Sequence, residues 1–149
     1  MTKIAKIIAT CFGIGYFPVA PGTFTSFAVV LLYKFFLYKL EWPYFLLIVL
    51  ILFFSGVMMS TRVAAELKSK DPRIIVVDEA FGQLIILFNM NPSWFNVLLA
   101  FLLFRFFDII KPYPIKKVED FPRGWGIMMD DIVAAVFGGI LINVYLLLR

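Results

Sequence analysis

The sequence predicts an all-α integral membrane protein, a polytopic bundle of about four to five membrane helices with a Gly/Pro-rich loop near its N-terminus. The first observation is composition: 62% of the residues are hydrophobic and the mean hydropathy is +0.95, whereas soluble domains are about half apolar. The second is an uncharged run at residues 42–61, which has the length of a membrane helix, about 20 residues. Residues 132–148 form a second such run. The chain has 149 residues, which is room for a single domain, 1–149.

The N-terminal stretch imitates a signal peptide, because two lysines precede an apolar run. Glycines and prolines break that run between residues 13 and 22, so we expect the segment to belong to the mature protein. Asp78 and Glu79 interrupt the third of the membrane-type helices that follow. These helices are expected near residues 23–40, 42–60, 74–89, 92–109 and 127–148.

The acidic residues of these helices fall at helix ends on one side of the membrane. We call the side where the first helix starts side A. The third helix leaves side A with Asp78 and Glu79 in its first turns, and the fourth returns with Asp108 in its last turn. The fifth leaves with Asp130 and Asp131. Because successive membrane helices alternate in direction, this arrangement predicts that the five carboxylates converge at one depth, beside the Gly/Pro-rich loop.

The basic residues indicate which compartment side A faces. The formal net charge is +4, and cytoplasmic segments of membrane proteins carry the excess of lysine and arginine. Side A is therefore expected to be cytoplasmic. The basic residues assigned to it are Lys3, Lys6, Arg62, Lys68, Lys70, Arg73, Arg105, Lys111, Lys116, Lys117 and Arg123.

Several carboxylates at one membrane depth need a counter-charge. Each costs about 2.5–3.5 kcal/mol at mid-bilayer, less near the helix ends, and neighbouring acids also repel. A hard cation such as Mg²⁺ takes carboxylate oxygens, whereas a chain with no histidine and one cysteine is unsuited to the usual zinc site. Adjacent acids point about 100° apart on a helix, so one of each pair is free to ligate metal while its neighbour caps or orients. Lone helix-end acids are also ordinary caps, and that alternative stays open.

Small residues follow the last two acids at four-residue steps. Ala134 and Gly138 lie below Asp130, and Ala135 and Gly139 lie below Asp131. This spacing lets membrane helices approach closely. It predicts a packed interior beneath the acids.

The basic residues near the acids favour an anionic ligand. Arg105 and Lys111 each lie three residues from Asp108, a spacing that shares a helix face, although simple ion pairing is an equal alternative. The loop "GIGYFPVAPGT" is a candidate to present backbone N–H groups to a phosphate, although glycine and proline more often only make turns, and Thr23 is a candidate helix cap.

Absent residues narrow the chemistry. The lack of histidine excludes phosphohistidine enzymes and histidine-dependent lipid phosphatases. Cys11 has no arginine six residues later, as a cysteine phosphatase loop requires. Attack of a metal-activated water on phosphorus is the phosphoryl chemistry that remains.

Four blocks carry a resemblance to a known family: "GIGYFPVAPGTFTS", "DPRIIVVDEAFGQ", "FRFFDIIKPYPI" and "GWGIMMDDIVAAVFGG". In this order they resemble the phosphatidylglycerophosphatase A family over most of the chain. The resemblance implies Mg²⁺-dependent hydrolysis of phosphatidylglycerophosphate to phosphatidylglycerol and inorganic phosphate, in a bacterial cytoplasmic (inner) membrane. It implies catalytic roles for Asp78, Glu79, Asp108, Asp130 and Asp131, of which Asp78, Glu79, Asp130 and Asp131 are the expected metal ligands. The expected substrate-binding residues are Lys111, Arg105, Gly15, Gly22 and Thr23.

Two other functions are less well supported by the sequence. A small ion or metal transporter would use the same acids as a pathway, but the far side offers no acid beyond Glu41, so a continuous path is poorly supported. A phospholipid head-group transferase would need a spaced aspartate–glycine signature, which is absent. The expected partner is an anionic phospholipid, with no nucleic acid. The sequence leaves the oligomeric state and the number of metal ions open.

Overall fold

The computed structural model describes residues 2–148, and within that range all the regular structure is helical. This confirms the all-α prediction. Short 3₁₀ turns occur at Ile14–Tyr16 and Leu37–Lys39. The helices are α1 (Thr2–Ala9), α2 (Pro21–Phe35), α3 (Trp42–Leu67), α4 (Val77–Leu87), α5 (Trp94–Ile110), α6 (Ile115–Val118) and α7 (Gly124–Leu148).

Two of these helices, α3 and α7, are long and apolar enough to cross a membrane. With 26 and 25 residues they extend about 39 and 37 Å at 1.5 Å per residue. Helices α2, α4 and α5 have 15, 11 and 17 residues, or about 22, 16 and 25 Å. A hydrocarbon core is about 30 Å thick. Two of the described helices thus have the length and composition of membrane spans, and the four to five membrane helices predicted from the sequence are not confirmed.

Several helix boundaries differ from the predicted ones. Helix α3 continues to Leu67 rather than ending near residue 60, because the polar residues that end its apolar run are still good helix formers. Helix α4 begins at Val77 instead of 74, and α2 ends at Phe35 with a 3₁₀ turn after it. Helices α1 and α6 were not predicted.

Helix α1 packs against the C-terminal end of α3. Ala5 and Ala9 are buried in a cluster that includes Val63 and Ala64 of α3. Lys6 forms an ion pair with Glu66 on the same surface. An isolated helix of eight residues is marginal in water, so this packing stabilises it.

Helix α4 lies at the centre of the bundle and packs against α2, α3, α5 and α7. A Cβ atom on Gly82 would lie 2.5 Å from the Phe104 ring and 3.1 Å from the Cβ of Asp131, so glycine allows α5 and α7 to approach α4. The predicted small-residue packing on α7 is present at Ala134, Ala135 and Gly138, which are buried. It is absent at Gly139, where a Cβ would meet no atom within 4 Å.

The turn between α4 and α5 is hydrogen-bonded to α2. The Tyr33 hydroxyl donates to the Met90 carbonyl at 2.6 Å and accepts from the Met90 N–H at 3.1 Å. The Lys34 ammonium donates to the carbonyl of Pro92. These bonds satisfy backbone groups where α4 ends, at the opposite end of the bundle from Asp78 and Glu79.

Candidate functional site

A cavity of about 460 Å³ lies where four parts of the chain meet: the start of α2, the segment before α4 with its first turn, the end of α5 and the start of α7. The predicted convergence is confirmed, because the cavity is lined by all five acids, Asp78, Glu79, Asp108, Asp130 and Asp131. Arg105, Lys111, Gly22 and Thr23 line it as well.

Three of the carboxylates form a compact group. One oxygen from each of Asp78, Glu79 and Asp131 lies within 4.8 Å of the others. Asp78 Oδ1, Glu79 Oε2 and Asp131 Oδ2 are buried without a hydrogen-bond partner. Uncompensated buried carboxylates are costly, and three clustered oxygen donors suit a hard divalent cation such as Mg²⁺. The residues present therefore fit the expected metal.

Asp130 has a different environment from its neighbour Asp131. Its Oδ2 accepts a hydrogen bond from Lys111 Nζ at 2.6 Å, and its Oδ1 accepts one from the Asp131 N–H at 3.0 Å. Both oxygens are thus occupied within the protein. The structure brings together three of the four expected metal ligands. The fourth, Asp130, lies beside them and is hydrogen-bonded to Lys111.

Lys111 follows the last residue of α5 in a left-handed conformation, with φ of 46°. Burial alone lowers the pKa of this side chain, but the Asp130 carboxylate, with Glu119 at 3.8 Å, outweighs burial and the pKa is raised. The ammonium therefore stays charged and is held at the edge of the acidic cavity.

Arg105 connects two of the acids. Its Nη1 lies 2.6 Å from Asp108 Oδ2 and 3.9 Å from Glu79 Oε1. The side chains of Arg105 and Asp108 are both nearly buried, at 13% and 11% exposed. Asp108 is thus closely paired inside the protein, whereas Glu79 reaches Arg105 only at 3.9 Å. Asp78 and Asp131 form no ion pair with the described residues.

The start of α2 forms one wall of the cavity. Ala20 precedes the helix with φ of 45°, Pro21 opens it, and Gly22 and Thr23 line the cavity. The first N–H groups of a helix have no partner within it, and the positive end of the helix dipole lies there. A Cβ on Gly22 would lie 1.8 Å from Glu79 Oε1, so only glycine leaves room for that carboxylate.

Two details of the predicted loop are corrected. The helix starts at Pro21 with Ala20 at the cap position, so Thr23 lies inside the first turn and does not cap it. Gly15 does not line the acidic cavity; it packs against the backbone of Ile74, where a Cβ would lie 1.9 Å from the carbonyl oxygen.

The prediction omitted two charged residues that line the cavity, Asp71 and Arg73. Arg73 Nη2 donates to the carbonyl of Pro18 at 3.0 Å, which ties the segment before α4 to the Gly/Pro-rich loop. Both residues belong to the block "DPRIIVVDEAFGQ", so their proximity to Asp78 in sequence was the available signal.

Known proteins resemble this chain over most of its length. The model of the phosphatidylglycerophosphatase A family matches residues 7–146. Proteins named phosphatidylglycerophosphatase A from Haemophilus influenzae and Escherichia coli are 37% and 35% identical to this chain, each over 138 residues. Each alignment covers 91% of this chain, with 85% and 80% of the respective relatives.

A third relative, from Bacteroides thetaiotaomicron, carries the name "Putative phosphatidylinositol-3-phosphatase" and is 38% identical over 146 residues. That alignment covers 93% of this chain and 91% of the relative. No solved structure gives a significant match. The family model matches nearly the whole chain, and two relatives carry the name of that family. The chain therefore belongs to the phosphatidylglycerophosphatase A family and is a phosphatase.

Proposed function

We propose that this phosphatase is Mg²⁺-dependent and hydrolyses phosphatidylglycerophosphate to phosphatidylglycerol and inorganic phosphate. The observation that carries the proposal is the group of three carboxylates, Asp78, Glu79 and Asp131, each of which has one buried oxygen without a hydrogen-bond partner. Cationic side chains and a helix N-terminus surround this group. Charge neutralisation and positioning are the main requirements of phosphoryl transfer.

The three clustered carboxylates would hold the ion. When bound, Mg²⁺ would supply positive charge to a phosphoryl oxygen and lower the pKa of a water that attacks phosphorus. The protein's own groups bind and orient the phosphate. Lys111 and the free N–H groups at the start of α2 offer positive charge and hydrogen-bond donors from two sides of the cavity. Asp130 fixes the position of Lys111.

The direct test is an assay of the purified protein in detergent micelles. We expect inorganic phosphate release from phosphatidylglycerophosphate with Mg²⁺, and loss of release with EDTA that added Mg²⁺ reverses. Phosphatidylinositol 3-phosphate is the comparison substrate, because the Bacteroides relative is named for it. Preference for that lipid would overturn the substrate assignment, and full activity in EDTA would overturn the metal.

Lys111→Ala should lower turnover by about 10²-fold, the usual cost of removing one group that stabilises developing charge. The Mg²⁺ concentration for half-maximal activity should change little, because Lys111 is hydrogen-bonded to Asp130 and not to the three clustered carboxylates. Mg²⁺ titrations of Lys111→Ala and Lys116→Ala, an exposed control on α6, measure both effects. A large rise in the Mg²⁺ requirement with unchanged turnover would contradict this role.

Cys11→Ser should retain near-normal activity and resist N-ethylmaleimide. Burial raises the pKa of the Cys11 thiol to about 12, with a further contribution from Glu79, so the thiol is protonated at neutral pH and is a poor nucleophile. Its Sγ instead lies 3.5 Å from the Val76 carbonyl as a donor. Activity of the variant with and without the reagent is the measurement. A folded but inactive Cys11→Ser protein would indicate covalent cysteine catalysis.

We also propose that the protein crosses the bacterial inner membrane several times, with the acidic cavity on the cytoplasmic side. Lys68 and Lys117 are exposed residues on the cavity side. In a Cys11→Ser background, Lys68→Cys and Lys117→Cys should react with a membrane-impermeant maleimide only after the cells are opened. Labelling of both positions in intact cells would reverse the orientation.

A further inference from the structure

An apolar groove of about 260 Å³ lies beside the acidic cavity. It is lined by Thr23, Phe24 and Phe27 of α2 and by Phe101 of α5. The rings of Phe27 and Phe101 meet edge to face with centroids 5.9 Å apart, so the groove floor bridges the two helices. Phe24 and Phe27 are 47% and 41% exposed, so the groove opens onto the outer surface of the helix bundle.

The groove and the acidic cavity are neighbours that share one lining residue. Thr23 lines both of them. On α2, Thr23 and Phe27 are four residues apart and share a face; on α5, Phe101 and the cavity residue Arg105 have the same relation. Two helices therefore each carry a stripe that begins in the groove and ends in the cavity.

The groove also runs in the direction that a lipid requires. Phe27 lies four residues beyond Thr23, about 6 Å along α2, and Phe101 lies seven residues before Asp108, about 10 Å along α5. Both displacements lead away from the charged end of the bundle and into its apolar part. A phospholipid has the same polarity, with its phosphate at the interface and its acyl chains below.

We propose that this groove holds the first part of one acyl chain of the lipid substrate while the terminal phosphate lies in the acidic cavity. The inference rests on the proposed function and adds to it the path by which the lipid approaches, sideways between α2 and α5. The surrounding lipid tails are as apolar as leucine, so moving an acyl chain from the bilayer into the groove contributes little net affinity. Its role is to position the phosphate relative to the carboxylates.

The first test compares Phe27→Trp with Phe106→Trp. The larger indole at position 27 would fill the groove, whereas Phe106 is an exposed residue of α5 that does not line it. We expect Phe27→Trp to lower kcat/KM for dipalmitoyl substrate by about tenfold or more, because a displacement of about 1 Å costs on the order of 100-fold. Phe106→Trp should stay within about twofold of wild type. Equal effects of the two variants, or none, would overturn the proposal.

The second test places a chain in the groove and does not depend on the folding of Phe27→Trp. Phe101→Cys and Phe106→Cys are made in the Cys11→Ser background and treated with dodecyl or methyl methanethiosulfonate. The dodecyl adduct at position 101 should inhibit lipid hydrolysis about tenfold or more, in keeping with the positional cost above. The methyl adduct should not inhibit, and dithiothreitol should restore activity. Inhibition at both positions, or at neither, rejects the groove.

These results separate the two proposals. If the wild-type protein fails to hydrolyse phosphatidylglycerophosphate, the proposed function is wrong. If it hydrolyses that lipid and the dodecyl adduct at position 101 has no effect, the function stands and the acyl-chain site is wrong.

Discussion

Asp131→Asn should lower Mg²⁺-dependent turnover by at least about 10²–10³-fold, the range found when one group that stabilises developing charge is removed. Asp131 is 2% exposed, and its Oδ2 is one of the three buried oxygens without a partner. Asp78→Asn should behave alike. Asp130→Asn should lower turnover less, by about 10–100-fold, because Asp130 positions Lys111 and does not hold the metal itself. Initial rates over a Mg²⁺ titration measure these differences.

Thermal melts test the same variants independently of turnover. A ligand present at about 100 times its dissociation constant stabilises a folded protein by about 2.7 kcal/mol, so Mg²⁺ should raise the Tm of the wild-type protein. The Asp131→Asn protein should lack this increase. Its metal-free form should melt higher than the metal-free wild type, because one of three repelling carboxylates is gone. If Asp78→Asn and Asp131→Asn both kept normal rates and the Mg²⁺-linked increase, these acids would not be metal ligands and the metal proposal would be wrong.

Gly22→Ala should lower activity by about 100-fold, because the added Cβ would lie 1.8 Å from Glu79 Oε1 and 2.6 Å from Cδ. The Glu79 carboxylate would have to move out of its group with Asp78 and Asp131. Folding should suffer much less, since the obstructed atoms belong to the end of a flexible side chain. The expected result is a folded protein with a near-normal Tm and a weakened response to Mg²⁺.

Gly139→Ala is the matched control for that substitution. Gly139 also lies in a helix, but a Cβ there would meet no atom within 4 Å. Alanine is favoured over glycine in helices by about 1 kcal/mol, so the control should keep full activity with an equal or higher Tm. Equal losses in the two variants would show that the effect of Gly22→Ala is not specific to the contact with Glu79.

The convergence of the acids could be predicted because charges inside apolar runs are conspicuous and a chain that crosses a membrane must alternate sides. Which three of the five acids form the compact group could not be predicted. Asp130 and Asp131 are adjacent, and the sequence does not say which of them faces α4. In the structure the choice depends on Gly82, which admits Asp131 against α4, and on the left-handed turn at Lys111, which brings its ammonium to Asp130.

The missed features depend on tertiary contacts. Helix α1 is too short to be stable alone and needs the surface of α3, which no local pattern shows. Asp71 and Arg73 lie in a polar segment where charges are ordinary, and only the fold brings them to the cavity. Gly15 was expected at the ligand because of its motif, but the structure uses its lack of a side chain to pack against Ile74.

The unequal helix lengths have a consequence for the surrounding bilayer. In the proposed membrane orientation, α3 and α7 exceed the hydrocarbon thickness of about 30 Å, while α4 extends only about 16 Å before the turn that Tyr33 and Lys34 secure. Helix α4 itself lies at the centre of the bundle, but α2 and α5 on its outside extend only about 22 and 25 Å. The bilayer beside α2 and α5 must therefore thin, whereas beside α3 it must thicken or that helix must tilt. Such mismatch costs fractions of a kcal/mol per Å. The elastic strain makes bilayer thickness a determinant of this protein's stability, and local thinning next to α5 would bring phosphates down toward the depth of Asp108.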